Sequence, residues 1–215
     1  MYNYEILKYV MFSKHYGSDV DILDSEGEEF LENQNGDIIQ KNYVGTKMKN
    51  YDSLLVLSHF KGHPMGGYGG SLKQLSIGIA SGYGKRYIHC VGKDNGTYED
   101  MFKVEQDKFL EAMADAASSV ISEFKNIVYI NVMCNMSVDC DCCSVAKDPC
   151  MKDIGVLASL DPVAIDQACI DLVYSSDDLG KKDLIERIES RNGIHTIECA
   201  EELGIGSRRY ELVEI

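Results

Sequence analysis

Residues 53–73 read SLLVLSHFKGHPMGGYGGSLK and contain the clearest structural pattern in the chain. The apolar run Leu54–Leu57 has the length of a strand, and its continuity is typical of a strand that is covered on both faces. A glycine-rich segment follows directly, where open α/β sheets bind their ligands. This order predicts an α/β fold with a functional site at one end of the sheet.

Short apolar runs elsewhere in the chain predict further strands. They are Tyr87–Val91, Ile127–Met133, the shorter segment Ile154–Ala158 and, at the end of the chain, Tyr210–Val213. Before the glycine-rich segment, Val20–Leu23 is predicted as a short strand, and the Asn-Gly pair within Asn33–Asp37 predicts a turn, with a hairpin as one possibility.

Helices are predicted from apolar residues at helical spacing and from their capping residues. Phe109, Met113, Ala117, Val120 and Phe124 share one helical face. A second helix begins at Pro162 with Asp161 as its N-cap and extends to about Tyr174. The remaining predicted helices are Lys181–Asn192 before Gly193, a short helix before Gly204, and a weak one over Tyr4–Tyr16.

Strands that alternate with helices predict an α/β fold in a single domain, with a mostly parallel or mixed sheet and helices on both faces. Residues 1–50 are predicted to be a short N-terminal extension that packs on a core of residues 51–215. The length of 215 residues fits one domain.

The chain is acidic, with 21 Lys and Arg against 35 Asp and Glu and a net charge of −14. Such a chain repels nucleic acids and anionic membranes. No apolar run approaches the roughly 18 residues of a membrane helix. Because Glu5 and Lys8 interrupt the first apolar residues, the start does not resemble a signal peptide, and we expect a cytoplasmic protein.

Four of the eight cysteines lie within eleven residues: Cys140, Cys142, Cys143 and Cys150. In a reducing compartment such a cluster indicates metal binding or redox chemistry rather than a disulfide framework. An iron–sulfur cluster or other redox metal, a structural zinc ion and a loop of free thiols all remain open. Cys140 and Cys142 form the better ligand pair, since they share one side of an extended segment and the adjacent Cys143 points elsewhere.

Lysines and glycines make the glycine-rich segment a candidate anion site. Gly69 and Gly70 allow a close approach of backbone N–H groups to an anion, and Lys61 and Lys73 add positive charge. The segment is not a Walker A loop, and neither is the second glycine-rich stretch that contains Lys85. The alternative is a flexible loop with ordinary surface lysines.

Other polar residues have simpler explanations. Helix capping accounts for Asp161 without any function, and Asp166 does not share a helix face with it, so the spacing does not support a catalytic carboxylate pair. His89 is predicted to be a hydrogen-bonded core histidine, and Cys90 and Cys169 are predicted to be small core residues, like Cys199.

Taken together, these motifs resemble the DUF362 family, whose members are often described as iron–sulfur centre proteins of unknown activity. The resemblance extends from about Tyr51 to the end of the chain. It rests on five segments: Leu57–His63, Gly69–Lys73, Gly84-Lys85, Cys140-Asp141-Cys142 and Asp153–Asp166. Two features differ, because many relatives have a longer N-terminal part and a ferredoxin-type cysteine insert, and this chain has neither.

The residues and the resemblance lead to one principal hypothesis, a metal-binding protein of iron–sulfur type with a possible redox role. Cys140 and Cys142 are the predicted ligands of an iron–sulfur cluster or of a single iron or zinc ion, with Cys143 or His63 next. A small anionic ligand is expected at the glycine-rich loop, bound by Lys61, Gly69, Gly70, Lys73 and Lys85.

Two alternatives remain open. One is a non-catalytic protein whose zinc or thiol site only ties loops together, and the other is a hydrolase or transferase that binds a phosphorylated ligand. A homodimer or an electron-transfer partner is also compatible with the sequence.

Overall fold

The computed structural model of the protein describes residues 20–215, and these residues form seven strands in three sheets. The strands are β1 (Glu28–Glu32), β2 (Lys41–Gly45), β3 (Ser53–His59), β4 (Lys61–His63), β5 (Gly67–Gly69), β6 (Asn126–Met133) and β7 (Gly155–Ser159). Strands β1 and β2 form one antiparallel hairpin and β4 and β5 another.

The central sheet has the order β3-β6-β7. Strand β3 runs parallel to β6, and β7 runs antiparallel to it. Val56 on β3 and Tyr129 and Met133 on β6 point into the main core, where they are almost completely buried. A mixed sheet combined with helices in a single domain confirms the predicted α/β class.

Within residues 20–215, six helices accompany the sheets. They are α1 (Ser71–Lys73), which continues as a π-helical turn over Gln74–Gly78, α2 (Gly82–His89), α3 (Gln106–Glu123), α4 (Pro162–Ser175), α5 (Lys181–Ser190) and α6 (His195–Glu202). Asp161 caps α4 as predicted, since its Oδ1 accepts hydrogen bonds from the amides of Val163 and Ala164 at 2.8 and 2.9 Å.

The two faces of the central sheet differ. Helices α1 and α4 pack on the face that carries Asn131, whereas on the opposite face Leu55, Leu57 and Val156 keep about 60% of their surface exposed, at 63, 59 and 62%. The prediction of helices on both faces therefore holds for one face only within residues 20–215.

The predicted turn at Asn33–Asp37 lies in the connection between β1 and β2 and confirms the hairpin there. This hairpin packs on α3 through a buried carboxylate. Asp115 Oδ2 accepts hydrogen bonds from the amides of Ile38 and Ile39 at 2.7 and 2.9 Å, and the side chain of Ile39 is fully buried. Desolvation raises the pKa of Asp115 above its ordinary value.

Three predicted strands are wrong. Tyr87–His89 belongs to helix α2, which starts at Gly82. Ser81 is the N-cap of this helix, and its Oγ accepts a hydrogen bond from the amide of Gly84 at 3.0 Å. Val20–Leu23 is irregular, and Tyr210–Val213 pairs with no strand although it lines a groove beside the free edge of β7. The predicted helix at residues 4–16 lies outside the described residues.

Within residues 20–215, every helix is too short or too polar to cross a lipid bilayer.

Candidate metal and anion site

The glycine-rich segment is an ordered hairpin rather than a flexible loop. Strands β4 and β5 pair from Lys61 with Gly69 to His63 with Gly67. A Cβ atom at Gly62 would collide with the backbone of Val138, and Gly67 adopts a φ of +79°, which a side chain rarely tolerates. At these two positions the glycines are explained by close packing and backbone conformation, without any ligand.

The amides that follow Gly70 bind a carboxylate of the chain itself. Asp166 on α4 accepts hydrogen bonds from the amides of Ser71 at 2.8 Å and Leu72 at 3.0 Å. It also accepts from Asn131 Nδ2 at 2.7 Å and from the hydroxyl of Tyr68 at 3.2 Å. The place that an external anion would take at these amides is therefore filled by an internal one.

Asp166 has no exposed surface, and this burial raises its pKa to about 6. The hydrogen bonds from Leu72, Asn131, Ser71 and Tyr68 oppose the shift, because they stabilise the ionised form. Burial is the larger effect. Asp166 consequently titrates close to neutral pH and joins β6, α1 and α4 in one polar network.

On the other side of the hairpin, the thiols of Cys140 and Cys142 meet the imidazole of His63. One ligand atom from each of these three residues lies within 4.8 Å of the other two. His63 and Cys140 are buried, with 4% and 2% of their surface exposed, while Cys142 is exposed. This group contains two sulfur donors and one nitrogen donor and opens to solvent on the side of Cys142.

Asp141, between the two cysteines, ties the thiol loop to the hairpin. Its carboxylate lies 2.9 Å from Lys61 Nζ and 3.0 Å from His59 Nδ1, and the other ring nitrogen of His59 lies 2.9 Å from the carbonyl oxygen of Cys134. Burial alone would raise the pKa of Asp141, but the hydrogen bonds from Lys61 and His59 outweigh it and lower the pKa.

The imidazole of His63 is held in one orientation by the hairpin. Its Nδ1 accepts hydrogen bonds from the amides of Gly66 at 2.8 Å and Met65 at 3.2 Å, so the neutral ring carries its proton on Nε2. Burial, reinforced by the charge of Lys73, lowers the pKa of His63 to about 3. The ring is therefore neutral at pH 7, the state in which histidine binds metals.

Lys73 is the one lysine of this region that remains unpaired. It is half-buried, and its Nζ has no hydrogen-bond or ion-pair partner in the described part of the chain. Its charge acts on Cys142 as well as on His63. Burial and the neighbouring Cys140 raise the pKa of Cys142 to about 12, and Lys73 acts in the opposite direction.

The structure separates the predicted site residues into two groups. Cys140, Cys142, His63 and Lys73 come together. Lys61, Gly69 and Gly70 do not join this group directly. The ammonium of Lys61 is paired with Asp141, Gly69 packs beside Lys61, and Gly70 packs against Asp166.

Cys143 and Lys85 also lie apart from the three-residue group. The amide of Cys143 donates to the carbonyl oxygen of Cys140 at 2.9 Å, and its thiol is not among the three clustered donors. Lys85 Nζ donates to the carbonyl oxygen of Ala80 at 2.6 Å and lines a different cavity.

Sequence reasoning missed the roles of Asp141, His59 and Asp166. For Asp141 the sequence contains a signal, because this residue lies between the candidate ligands Cys140 and Cys142. His59 and Lys61, which follow a predicted strand, are basic residues that could pair with it. Asp166 had no such signal. The amides that it binds lie 95 and 94 positions away in sequence, and helical spacing alone gives no reason to connect them.

Two sulfur atoms and one imidazole nitrogen suit a thiophilic transition metal. In a tetrahedral site with metal–sulfur bonds of about 2.3 Å, two sulfur ligands lie about 3.8 Å apart. The Sγ atoms of Cys140 and Cys142 lie 2.7 Å apart, so the exposed thiol of Cys142 has to move by about 1 Å for both to bind one ion. Three protein ligands leave one position open. The residues present therefore fit a single iron or zinc ion.

Comparison with known proteins gives one match. A family model described as "Domain of unknown function (DUF362)" matches residues 3–171, more than three quarters of the chain. No curated protein matches, and no solved structure does.

Proposed function

Because the chain belongs to the DUF362 family, whose function is unknown, we propose from the site itself that it is a metal-binding protein that holds one thiophilic ion on His63, Cys140 and Cys142. The observation that carries this proposal is the mutual distance of no more than 4.8 Å among the three donor atoms. Exposed carboxylate clusters often occur without a bound ion. This group is different, because its donors are two thiols and an imidazole and because His63 and Cys140 are buried.

The surroundings favour an ion with an anionic ligand at its open position. Two thiolates neutralise a divalent ion, and the unpaired ammonium of Lys73 adds a positive charge beside Cys142. A carboxylate, a phosphate or hydroxide would balance that charge. The predicted anion site then belongs to the same centre, with Lys73 rather than the amides of Ser71 and Leu72 as its main contact.

Protons leave the site when an ion binds. Both thiols must become thiolates, whereas His63 is already neutral and would bind through a lone pair of its ring. Affinity should therefore rise with pH. A bound ion with an open position supplies a Lewis acid that polarises a coordinated oxygen.

The metal content of the purified protein tests this proposal directly. The protein is purified untagged under anaerobic conditions, and metals are counted by inductively coupled plasma mass spectrometry for the wild type, Cys142→Ser and the matched control Cys143→Ser. We expect about one iron or zinc per chain in the wild type and in Cys143→Ser, and near none in Cys142→Ser.

Two results would contradict the proposal: no metal in the wild type, or equal metal in both variants. One zinc ion whose removal by a chelator lowers only the melting temperature would assign the centre to structural zinc.

An iron–sulfur cluster is the second candidate, and the position of Cys143 favours it. The amide of Cys143 donates a hydrogen bond to the carbonyl oxygen of Cys140, so a third cysteine lies in the same turn of the loop as the two clustered ones. Clusters usually require four cysteine ligands. This candidate predicts several irons per chain, visible absorbance that bleaches on reduction, and loss of iron in Cys143→Ser as well.

A further inference from the structure

A cavity of about 510 Å³ lies between α2 and the segment of residues 95–101, and its lining includes none of the three residues of the metal group. Its size suits a small organic molecule. Gly82, Lys85, Arg86 and His89 line it from α2, at positions i, i+3, i+4 and i+7, and therefore from one face of that helix. Residues 95–98 and Met101 form the opposite wall.

The two cations of this cavity have no acidic partner. Lys85 Nζ donates to a backbone carbonyl oxygen, that of Ala80, and the guanidinium of Arg86 lies 5.5 Å from the centroid of the Tyr83 ring. Neither forms an ion pair with a carboxylate in the part of the chain described by the structure.

The carboxylates near the cavity are already engaged. Asp100 accepts hydrogen bonds from the amide and hydroxyl of Thr97 at 2.8 Å and pairs with Lys93 at 3.1 Å. Asp94 accepts from the hydroxyl of Tyr83 at 3.1 Å, and Asp24 accepts from the amide of Gly82 at 3.0 Å. None of these three carboxylates forms an ion pair with Lys85 or Arg86 in the described residues, and only the charge of Asp24 acts on Lys85 from a distance.

Aromatic rings complete the cavity. His89 is buried and stacks on Phe109 at 5.0 Å, and its Nδ1 donates to the carbonyl oxygen of Lys85 at 2.6 Å, which leaves Nε2 as a hydrogen-bond acceptor. Tyr98, in the opposite wall, keeps 73% of its surface exposed and meets Phe102 edge-on at 5.2 Å. An exposed aromatic ring beside two cations can bind a planar ring attached to an anion.

The backbone around the cavity is strained. Val91, two residues after the end of α2, has a φ of 56°, and Asn95 in the wall has a φ of 54°. A β-branched residue in the left-handed region costs free energy, and such residues occur preferentially at binding sites.

We propose that this cavity is a second binding site, which takes an organic phosphate with a planar aromatic body, such as a nucleoside monophosphate. Lys85 and Arg86 bind the phosphate group, and Tyr98 stacks on the ring. The proposal does not depend on the metal site, and it assigns Lys85 to this cavity rather than to the glycine-rich hairpin.

Isothermal titration calorimetry with three probes measures each part of the proposal: adenosine 5′-monophosphate, adenosine and inorganic phosphate. Adenosine 5′-monophosphate should bind at least about tenfold more tightly than adenosine, because only the former has the charged group. Arg86→Gln should remove this difference, whereas Arg191→Gln, at another exposed arginine without an ion pair, should retain it. Tyr98→Ala should weaken the binding of both adenosine and adenosine 5′-monophosphate. Circular dichroism checks that each variant is folded.

Several outcomes would overturn the proposal. They are no binding of adenosine 5′-monophosphate up to about 5 mM, equal affinity for adenosine and its phosphate, or equal losses in Arg86→Gln and Arg191→Gln. Inorganic phosphate that binds as tightly as the nucleotide would overturn the aromatic part.

Discussion

The two ends of the glycine-rich segment differ in how their polar groups are paired. At the Gly70 end, the amides of Ser71 and Leu72 are satisfied by the buried carboxylate of Asp166. At the His63 end, two thiols and one imidazole face each other beside Lys73, whose ammonium has no partner among residues 20–215. One end is electrostatically complete, and the other has an ammonium without a partner among the described residues.

This difference separates a structural role from a functional one. Buried polar groups in a stable fold are almost always paired, so a completed network such as that of Asp166 contributes to folding. An ammonium without a partner among the described residues, such as that of Lys73, is instead available to a ligand. The anion that the glycines were predicted to bind is, at one end, a part of the protein.

The largest effect on stability is expected at Asp166. In Asp166→Asn, the new NH₂ group would replace one carboxylate oxygen and face either the amide of Leu72 or the donors of Ser71 and Asn131, so the free energy of unfolding should fall by about 3 kcal/mol. Chemical denaturation measures it, with the exposed Asp171→Asn on the same helix as control. If both variants lose the same amount, the Asp166 network is not what stabilises this end.

A smaller effect is expected from pH at the same residue. The pKa of Asp166 rises from 3.8 to about 6 on folding, so the folded state binds more protons between these values and the carboxyl stabilises the fold as pH falls. Between pH 7 and pH 5 this contribution amounts to about 1.4 kcal/mol, and it is absent in Asp166→Asn.

The stability difference between the wild type and Asp166→Asn should therefore grow as the pH falls from 7 to 5. Because all other titratable groups are common to both proteins, subtracting the two pH profiles of the unfolding free energy isolates Asp166. A difference that stays constant or shrinks would mean that Asp166 has an ordinary pKa.

The smallest effect on stability is expected at Lys73. Because its ammonium has no partner, Lys73→Gln should change the free energy of unfolding by less than about 0.5 kcal/mol. The same variant should weaken the binding of phosphate to the zinc-loaded protein about tenfold, as measured by titration calorimetry. A loss of stability as large as that in Asp166→Asn would make Lys73 structural and remove the contrast between the two ends.

Much of the fold follows from local patterns. The run at Leu54–Leu57 and the run at Ile127–Met133 are strands β3 and β6, the periodic apolar face of α3 lies in the core, and Asp161 caps α4. These elements could be predicted because their cause is local: side-chain alternation, helical spacing, or a capping side chain two or three residues from the amides it binds.

The wrong predictions involve short apolar runs, whose state depends on what surrounds them. Tyr87–Val91 has the composition of a strand, but its backbone continues a helix that starts at Gly82, and two glycines hide the helical pattern. Tyr210–Val213 also has a strand-like composition, and it makes no ladder with the neighbouring edge of β7.

The sequence by itself determined the α/β class, the presence of a thiol pair at Cys140 and Cys142, and the sequence position of the basic glycine-rich segment. Only the tertiary structure decided which of those groups are free to bind a ligand. The groups that pair with these amides and ammonium groups come from distant positions in the sequence, as Asp166 does for Ser71 and Asp141 does for Lys61. Hydrogen bonds and ion pairs require close approach in space, and no local pattern records which distant residues will meet.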